Sequence, residues 1–233
     1  MDHRKLQLQP RLQMLADLIP IGAKLVDVGT DHGYLPVWLL QERRISHAIA
    51  SDINPEPLEH ARRTAVEYGT ADQIDFRLCA GLDHVAPNEV DTIVIAGIGG
   101  ETIMAILQSA PWTRQNGICL FLQPMTKVEN LRIWLADNGF TFTGEHLVYD
   151  KNFLYPILCV TGGMPAQLSE ADAYGGVALE NDPLYGMYLD QQMKKLQRRI
   201  AGLNCSESEA SRMEAKRLED LRQALVNRRE GLA

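Results

Sequence analysis

Apolar and polar positions change period repeatedly along the first 163 residues. Over 4–19, Leu8, Leu12, Leu15, Leu18 and Ile19 recur at helical spacing. An amphipathic helix is expected there, with Pro10 early in it or delaying its start. Short β-rich runs then alternate with helical ones. Residues 24–29, 46–53, 74–79, 91–96 and 117–122 predict five strands. Residues 35–42, 55–68, 101–108 and 128–138 predict the helices between them. Runs 141–148 and 153–160 leave almost no room for a helix and predict an antiparallel pair. Strands alternating with helices imply a parallel sheet covered on both faces.

Beyond residue 161 the pattern changes. Residues 162–176 (GGMPAQLSEADAYGG) read as a loop-rich link. Two helices are expected over 182–203 and 206–230. Leu184, Met187, Tyr188, Met193, Leu196, Ile200 and Leu203 mark a stripe on the first. Met213, Leu218, Leu221 and Leu225 mark one on the second. Ser206 followed by Glu209 is a capping-box pattern. The expected organisation is a body (1–163), a linker (164–181) and a coiled-coil-like helical hairpin (182–233).

The 233 residues suit one mid-sized domain with a small appendage. No apolar run approaches the roughly 20 residues of a membrane span, and the opening MDHRKLQLQP has no apolar signal core. A cytoplasmic protein with no membrane contact is expected. Cys79, Cys119, Cys159 and Cys205 lack paired spacing, so neither a metal site nor a disulfide framework is expected. The first three lie in apolar runs and read as buried small hydrophobes. Net charge is −7, unevenly split. Residues 1–183 hold 13 Lys and Arg against 23 Asp and Glu, whereas 184–233 hold 10 against 7. The basic tail is either a surface for a polyanion or a solvated helical face, and charge alone leaves both open.

Chemistry concentrates at the ends of the strands. Asp27-Val28-Gly29-Thr30-Asp31-His32-Gly33 follows the first strand and opens a helix. A dinucleotide fingerprint reads G-x-G-x-x-G, but here an aspartate stands at the middle glycine. A pyrophosphate seeks bare amides and a positive helix end. A carboxylate would repel it. S-adenosylmethionine has no phosphate and carries a sulfonium and an ammonium, which Asp27 and Asp31 favour. A tight strand–helix turn with a capping Asp is the alternative. Asp52 ends the second strand, where an acidic side chain takes ribose hydroxyls. It would otherwise cap the next helix. Ala80-Gly81-Leu82 suits an adenine, and Ala96-Gly97-Ile98-Gly99-Gly100 leaves an open floor at the carboxyl edge. Four such sites at successive strand ends, with a final antiparallel strand, point to a Rossmann-like class I S-adenosylmethionine-dependent methyltransferase sheet.

DVGTDHGYLP (27–36), SDINPEPLEHAR (51–62), AGLD (80–83), AGIGG (96–100) and LQP (122–124) together make the chain resemble the tRNA (adenine-22-N1)-methyltransferase family, TrmK. It departs from the family pattern at Ile98, where methionine is usual, and at Pro156, where an acidic residue is usual. The resemblance implies that Gly29, Asp31, His32 and Gly33 wrap the methionine end of the cofactor. It places Asp52 and Ile53 at the ribose, and Gly81 and Leu82 at the adenine. Ala96, Gly97, Ile98 and Gly99 line the boundary with the target base. The implied reaction methylates N1 of an unpaired adenine in tRNA. Asp31 and His32 are the candidates for shaping the transfer region, Tyr34 and Tyr155 for aromatic surfaces, and Gln123 for reaching the substrate. Lys194, Lys195, Arg198 and Arg199, with Arg228 and Arg229, would meet the tRNA backbone, or the tail would instead be a partner or dimerisation surface. Two alternatives stand beside this reading: a methyltransferase acting on a small molecule, and a non-catalytic interaction protein. Oligomeric state is left open.

Overall fold

A computed structural model describes residues 5–206 and 208–232. Arg4, expected in the first helix, lies outside them, as do Glu207 and Ala233 from the expected hairpin. Five parallel strands form the centre of the sheet: β1 (Leu25–Val28), β2 (Ala48–Asp52), β3 (Ile74–Leu78), β4 (Thr92–Ile98) and β5 (Cys119–Pro124). The hairpin β6 (Phe140–Asp150) and β7 (Phe153–Gly162) completes it, with β7 antiparallel to β5. The order is β3-β2-β1-β4-β5-β7-β6, so the winding reverses between β1 and β4. Ligands bind outside the carboxyl ends of strands at such a reversal.

Helices cover both faces. Leu15 of α1 (Pro10–Leu18), Leu35 and Leu39 of α2 (Tyr34–Gln41) and Ala65 of α3 (Pro55–Glu67) pack on one. Ile103 and Leu107 of α4 (Gly100–Ser109) with Leu131 and Leu135 of α5 (Val128–Asp137) pack on the other. All four β1 residues are buried, as a central parallel strand requires. α1 begins at Pro10 itself, whose missing N–H costs nothing in a first turn. Cys79 and Cys159 are buried, but Cys119 is exposed at the start of β5, contrary to expectation.

The β6–β7 turn consists of Lys151 and Asn152, both left-handed (φ +48° and +68°). Two positive φ values give the primed turn that matches strand twist. β7 runs past β5, with which its pairing ends at Leu122↔Leu158. The free edge that results is covered by a side chain: Gln191 accepts from the Leu154 N–H (3.3 Å) and donates to the Leu154 carbonyl (3.4 Å). Pro156 lies on this same stretch, where its missing N–H leaves no ladder bond unmade.

The expected linker is more ordered than its composition suggests. It contains α6 (Glu170–Gly175), capped by Ser169, and Leu179 is fully buried. α7 (Tyr185–Leu203) and α8 (Glu209–Glu230) form the hairpin. α8 is capped by Ser208, which accepts from the Ser211 N–H, not by Ser206. Met187 and Met213 lie off the buried stripes and are exposed, whereas Leu189 and Ala215 are buried. Leu147 and Leu154 of the sheet share one apolar cluster with Tyr188, Leu196, Leu218 and Leu225 of the hairpin. A buried ion pair reinforces that junction. Arg132 of α5, fully buried, donates to both carboxylate oxygens of Glu145 (2.8 and 3.3 Å), to the Ala173 carbonyl (2.8 Å) and to the Tyr188 hydroxyl (3.0 Å). Glu145 also accepts from the Val177 N–H.

Candidate active site

The loop after β1 is shaped by two left-handed glycines, Gly29 (φ +75°) and Gly33 (φ +65°). The N–H groups of Gly29 and Thr30 both donate to the Ser51 carbonyl, tying the loop to β2. At Gly33 a Cβ would stand 3.0 Å from the Ala61 methyl, so the loop seats directly on α3. Asp27 ends up buried beneath this turn. Burial pushes its carboxyl up to about 6, against a bond from Thr30 and with the charge of Asp52 adding to the rise. Asp31 is exposed, and its carboxylate lies 3.5 Å from Nε2 of His32. The His32 ring stacks between Tyr34 (5.1 Å between centroids) and His60 (5.2 Å). Ligand atoms of Asp31, His32 and His60 lie within 4.8 Å of one another, the one such grouping among the described residues. The two imidazole planes are nearly parallel (5°), so their in-plane lone pairs do not converge on one point. The arrangement is a stack of rings more than a coordination sphere.

Two clefts meet at Gly29. One is lined by Gly29, Asp52, Ile53, Gly81, Ile98 and Ile106, with Ala80, Asp83 and Thr102 nearby. The other is lined by Asp27, Asp31, His32, Tyr34, Gly97 and Gln123, with Gly33 and Ala96. The predicted strand-end residues are therefore divided between two halves of one trough. Asp52, which lines the first cleft, accepts the Asn54 N–H through one oxygen (2.7 Å). A Cβ at Gly81 would stand 2.9 Å from Ile106, so only glycine lets α4 close over this half. Leu82 departs from expectation: its side chain is buried in the core below α4. The glycines after β4 are not one open floor either. Gly97 (φ +80°) forms a bulge, with Ala96 facing Gln123 and Ile98 facing Pro124. A Cβ at Gly100 would stand 2.8 Å from the Thr126 and Lys127 carbonyls, so this glycine serves close packing.

Residues no motif pointed to complete the second cleft. Arg11 of α1 donates through Nε to Asp150 (2.8 Å) and through a terminal nitrogen to Gln123 (3.4 Å) and the Met125 sulfur (3.3 Å). Its guanidinium lies 4.9 Å over the Tyr155 ring. Gln123, buried, also donates to the Pro124 carbonyl. Arg11 thus links Gln123, which lines this cleft, to Tyr155, which lies outside it in a neighbouring cleft with Pro124, Met125 and Phe153. The only sequence signal for it was a cation on the polar side of α1.

The predicted basic cluster is split. Lys194, Lys195 and Arg198 line a cleft between α7 and the β6–β7 turn. Lys195 also lies 3.4 Å from Glu129. Arg199 turns away: it donates to the Tyr174 hydroxyl (2.8 Å) and lies 3.6 Å from Glu214. Arg228 pairs with Asp172, and Arg229 lies 3.5 Å from Asp190. Those three cations fasten the hairpin and do not form an open anionic-ligand surface. Among the described residues no helix is long and apolar enough to cross a membrane.

Residues 8–158 match a methyltransferase domain. The chain is 31% identical to the tRNA (adenine(22)-N(1))-methyltransferase of Bacillus subtilis, over 81% of this chain and 77% of that one. It is similar to a Streptococcus pneumoniae structure in complex with S-adenosyl-L-methionine: 30% identity, TM-score 0.82, covering 95% of this chain and 99% of that chain. It is also similar to Mycoplasma capricolum TrmK in complex with S-adenosyl-homocysteine: 26% identity, TM-score 0.80, covering 97% and 99%.

Proposed function

The chain belongs to the tRNA (adenine(22)-N1)-methyltransferase family, and from that membership we infer how its own residues share out the reaction. The enzyme methylates N1 of adenine 22 in tRNA and uses S-adenosylmethionine. The observation that carries the residue assignment is the continuity of the two clefts through Gly29, one holding Ile98, Ile106 and Asp52 and the other Asp27 and Asp31. The trough fits the cofactor. Gly81 and Ile106 offer a flat apolar slot for the adenine, and Asp52 with Ile53 borders the ribose. Gly29 and Gly33 would leave room for the methionine moiety, and the carboxylates of Asp27 and Asp31 would favour its cationic groups. When bound, S-adenosylmethionine supplies a methyl group made electrophilic by the sulfonium.

The protein's share is positioning and charge. Adenine N1 has a free lone pair at neutral pH, so no residue has to remove a proton before attack. Geometry that holds the reacting atoms about 3–3.5 Å apart supplies most of the rate. The product ring is cationic, and Asp31 with buried Asp27 provides negative potential where that charge develops. N1 lies on the Watson–Crick edge, so the base enters unpaired. Tyr34, extending the His32 stack, and Tyr155, held under Arg11, offer it aromatic faces, and Gln123 offers hydrogen bonds. Lys194, Lys195 and Arg198 meet the phosphates.

The test is methyl transfer from labelled S-adenosylmethionine to unmodified bacterial tRNA, followed by nucleoside separation. Label is expected in 1-methyladenosine, and Asp31→Ala is expected to lower kcat about 100-fold or more. Label in a different nucleoside would overturn the N1 assignment. An Asp31→Ala enzyme of full rate would overturn the role given to the loop.

A further inference from the structure

We propose that the tip of the β6–β7 hairpin and the facing side of α7 form a stacking track for unpaired nucleotides adjoining the target adenine. The inference rests on the tRNA reading above and extends it to residues outside the transfer site. Tyr149 and Phe153 flank the two-residue turn and are 49% and 59% exposed, and Met187 on α7 opposite them is 53% exposed. Large apolar side chains gathered in one cleft and left in water mark a binding surface. Their mounting is rigid. The register pairs Tyr149 with Leu154 and Phe153 with Asp150, so the two rings leave the hairpin on opposite faces and bracket its tip, and the Tyr149 hydroxyl donates to Asn152 (3.2 Å).

Charge selects the occupant. Lys194 and Arg198 reach the same cleft and make no ion pair among the described residues. The cleft's one carboxylate, Asp190, lies 3.5 Å from Arg229 and is offset by it. Exposed aromatic rings beside free cations suit a single nucleic-acid strand, whose bases stack while its phosphates meet the cations. The surface is also continuous with the transfer site. Phe153 and Tyr155 lie two residues apart on one face of β7 with ring centroids 6.4 Å apart, and Tyr155 lies under Arg11, which contacts Gln123. A strand leaving the transfer cleft past Tyr155 would meet Phe153 next, and then the cations of α7.

The test compares wild type with a Tyr149→Ala/Phe153→Ala enzyme and a Lys194→Ala/Arg198→Ala enzyme. Each is measured for KM and kcat toward tRNA across a salt series, and for S-adenosylmethionine affinity by calorimetry. The aromatic pair is expected to raise KM for tRNA about tenfold or more, with cofactor affinity and salt slope unchanged. Phe153→Trp is expected to retain the wild-type KM. The cation pair is expected to flatten the salt slope by about 1.4, the value for two phosphate contacts on a single strand. A KM within twofold of wild type in the aromatic variant, or in Phe153→Leu should that variant lose cofactor affinity, would overturn the track. So would a change of oligomeric mass in the aromatic variant, which would make the surface an interface between copies. If wild type transfers nothing to tRNA, the functional reading falls and takes the track with it. If wild type methylates tRNA and the variants match it, the track alone falls.

Discussion

Asp27 shows how one buried carboxyl couples ligand and pH. Its burial holds the group near 6, whereas the unfolded chain ionises it near 3.8. A raised carboxyl binds its proton more tightly in the folded state, so its contribution to stability is complete below the unfolded value. That contribution is lost as pH rises through about 6. Asp27→Asn is therefore expected to raise the ligand-free unfolding free energy at pH 7.5 by about 1–3 kcal/mol, as read by urea denaturation. A cationic ligand needs the ionised form. Cofactor affinity in the wild type is expected to fall as pH drops through about 6, while the Asn variant binds weakly at every pH, a contrast calorimetry would resolve. Thiol chemistry divides by the same physics. Burial, then the charge of Glu145, pushes Cys159 up to about 12, while Cys119 and Cys205 are exposed. Two fast-labelling thiols and two protected ones are expected at pH 8. The acidic pair of the loop was legible in its spacing, but the burial that separates Asp27 from Asp31 was not. Arg11 was not legible at all, because its partners Gln123 and Asp150 lie 112 and 139 residues away.

Among elements, the strands and helices of the sheet followed their hydrophobic periods closely, since each must bury a face. Errors fell where a second device took over. Gly97 extends β4 through a bulge, which a strand read by alternation alone stops short of. Ser208 competes with Ser206 for the α8 cap, and both satisfy the same local chemistry. α6 is too short to show a period; it is held by its Ser169 cap, by the Arg228–Asp172 ion pair and by the Arg132 donor that reaches the Ala173 carbonyl. That arginine is the strongest element-scale prediction. Arg132→Ala leaves Glu145 buried without its cation and is expected to cost about 3–5 kcal/mol, measured by urea denaturation. Replacing both partners, Arg132→Met with Glu145→Leu, is expected to recover much of that loss, because an apolar pair carries no desolvation penalty.

At the scale of the whole molecule, the acidic body and basic tail are less opposed than their charges suggest. Arg199, Arg217, Arg228 and Arg229 spend their charge on carboxylates or hydroxyls of α6, α7 and α8, leaving Lys194 and Arg198 as open cations of α7. Those pairings span up to 56 residues and could not be read from a charge tally. The hairpin is also no appendage, since it completes the core under β6 and β7. A chain ending at residue 181 is expected to expose Leu147, Leu154 and Tyr174 and to lose cooperative thermal unfolding, not to persist as a smaller enzyme. The Arg132 site adds a matter of timing. Its acidic partner follows 13 residues later, but the Tyr188 hydroxyl follows after 56. At roughly 5–20 residues per second, synthesis leaves that guanidinium without its last acceptor for about 3–11 s. The nascent sheet therefore waits, open along β6 and β7, until the tail has cleared the ribosome. A pause in translation between α5 and α7 would hold the chain in the form most exposed to proteases and chaperones.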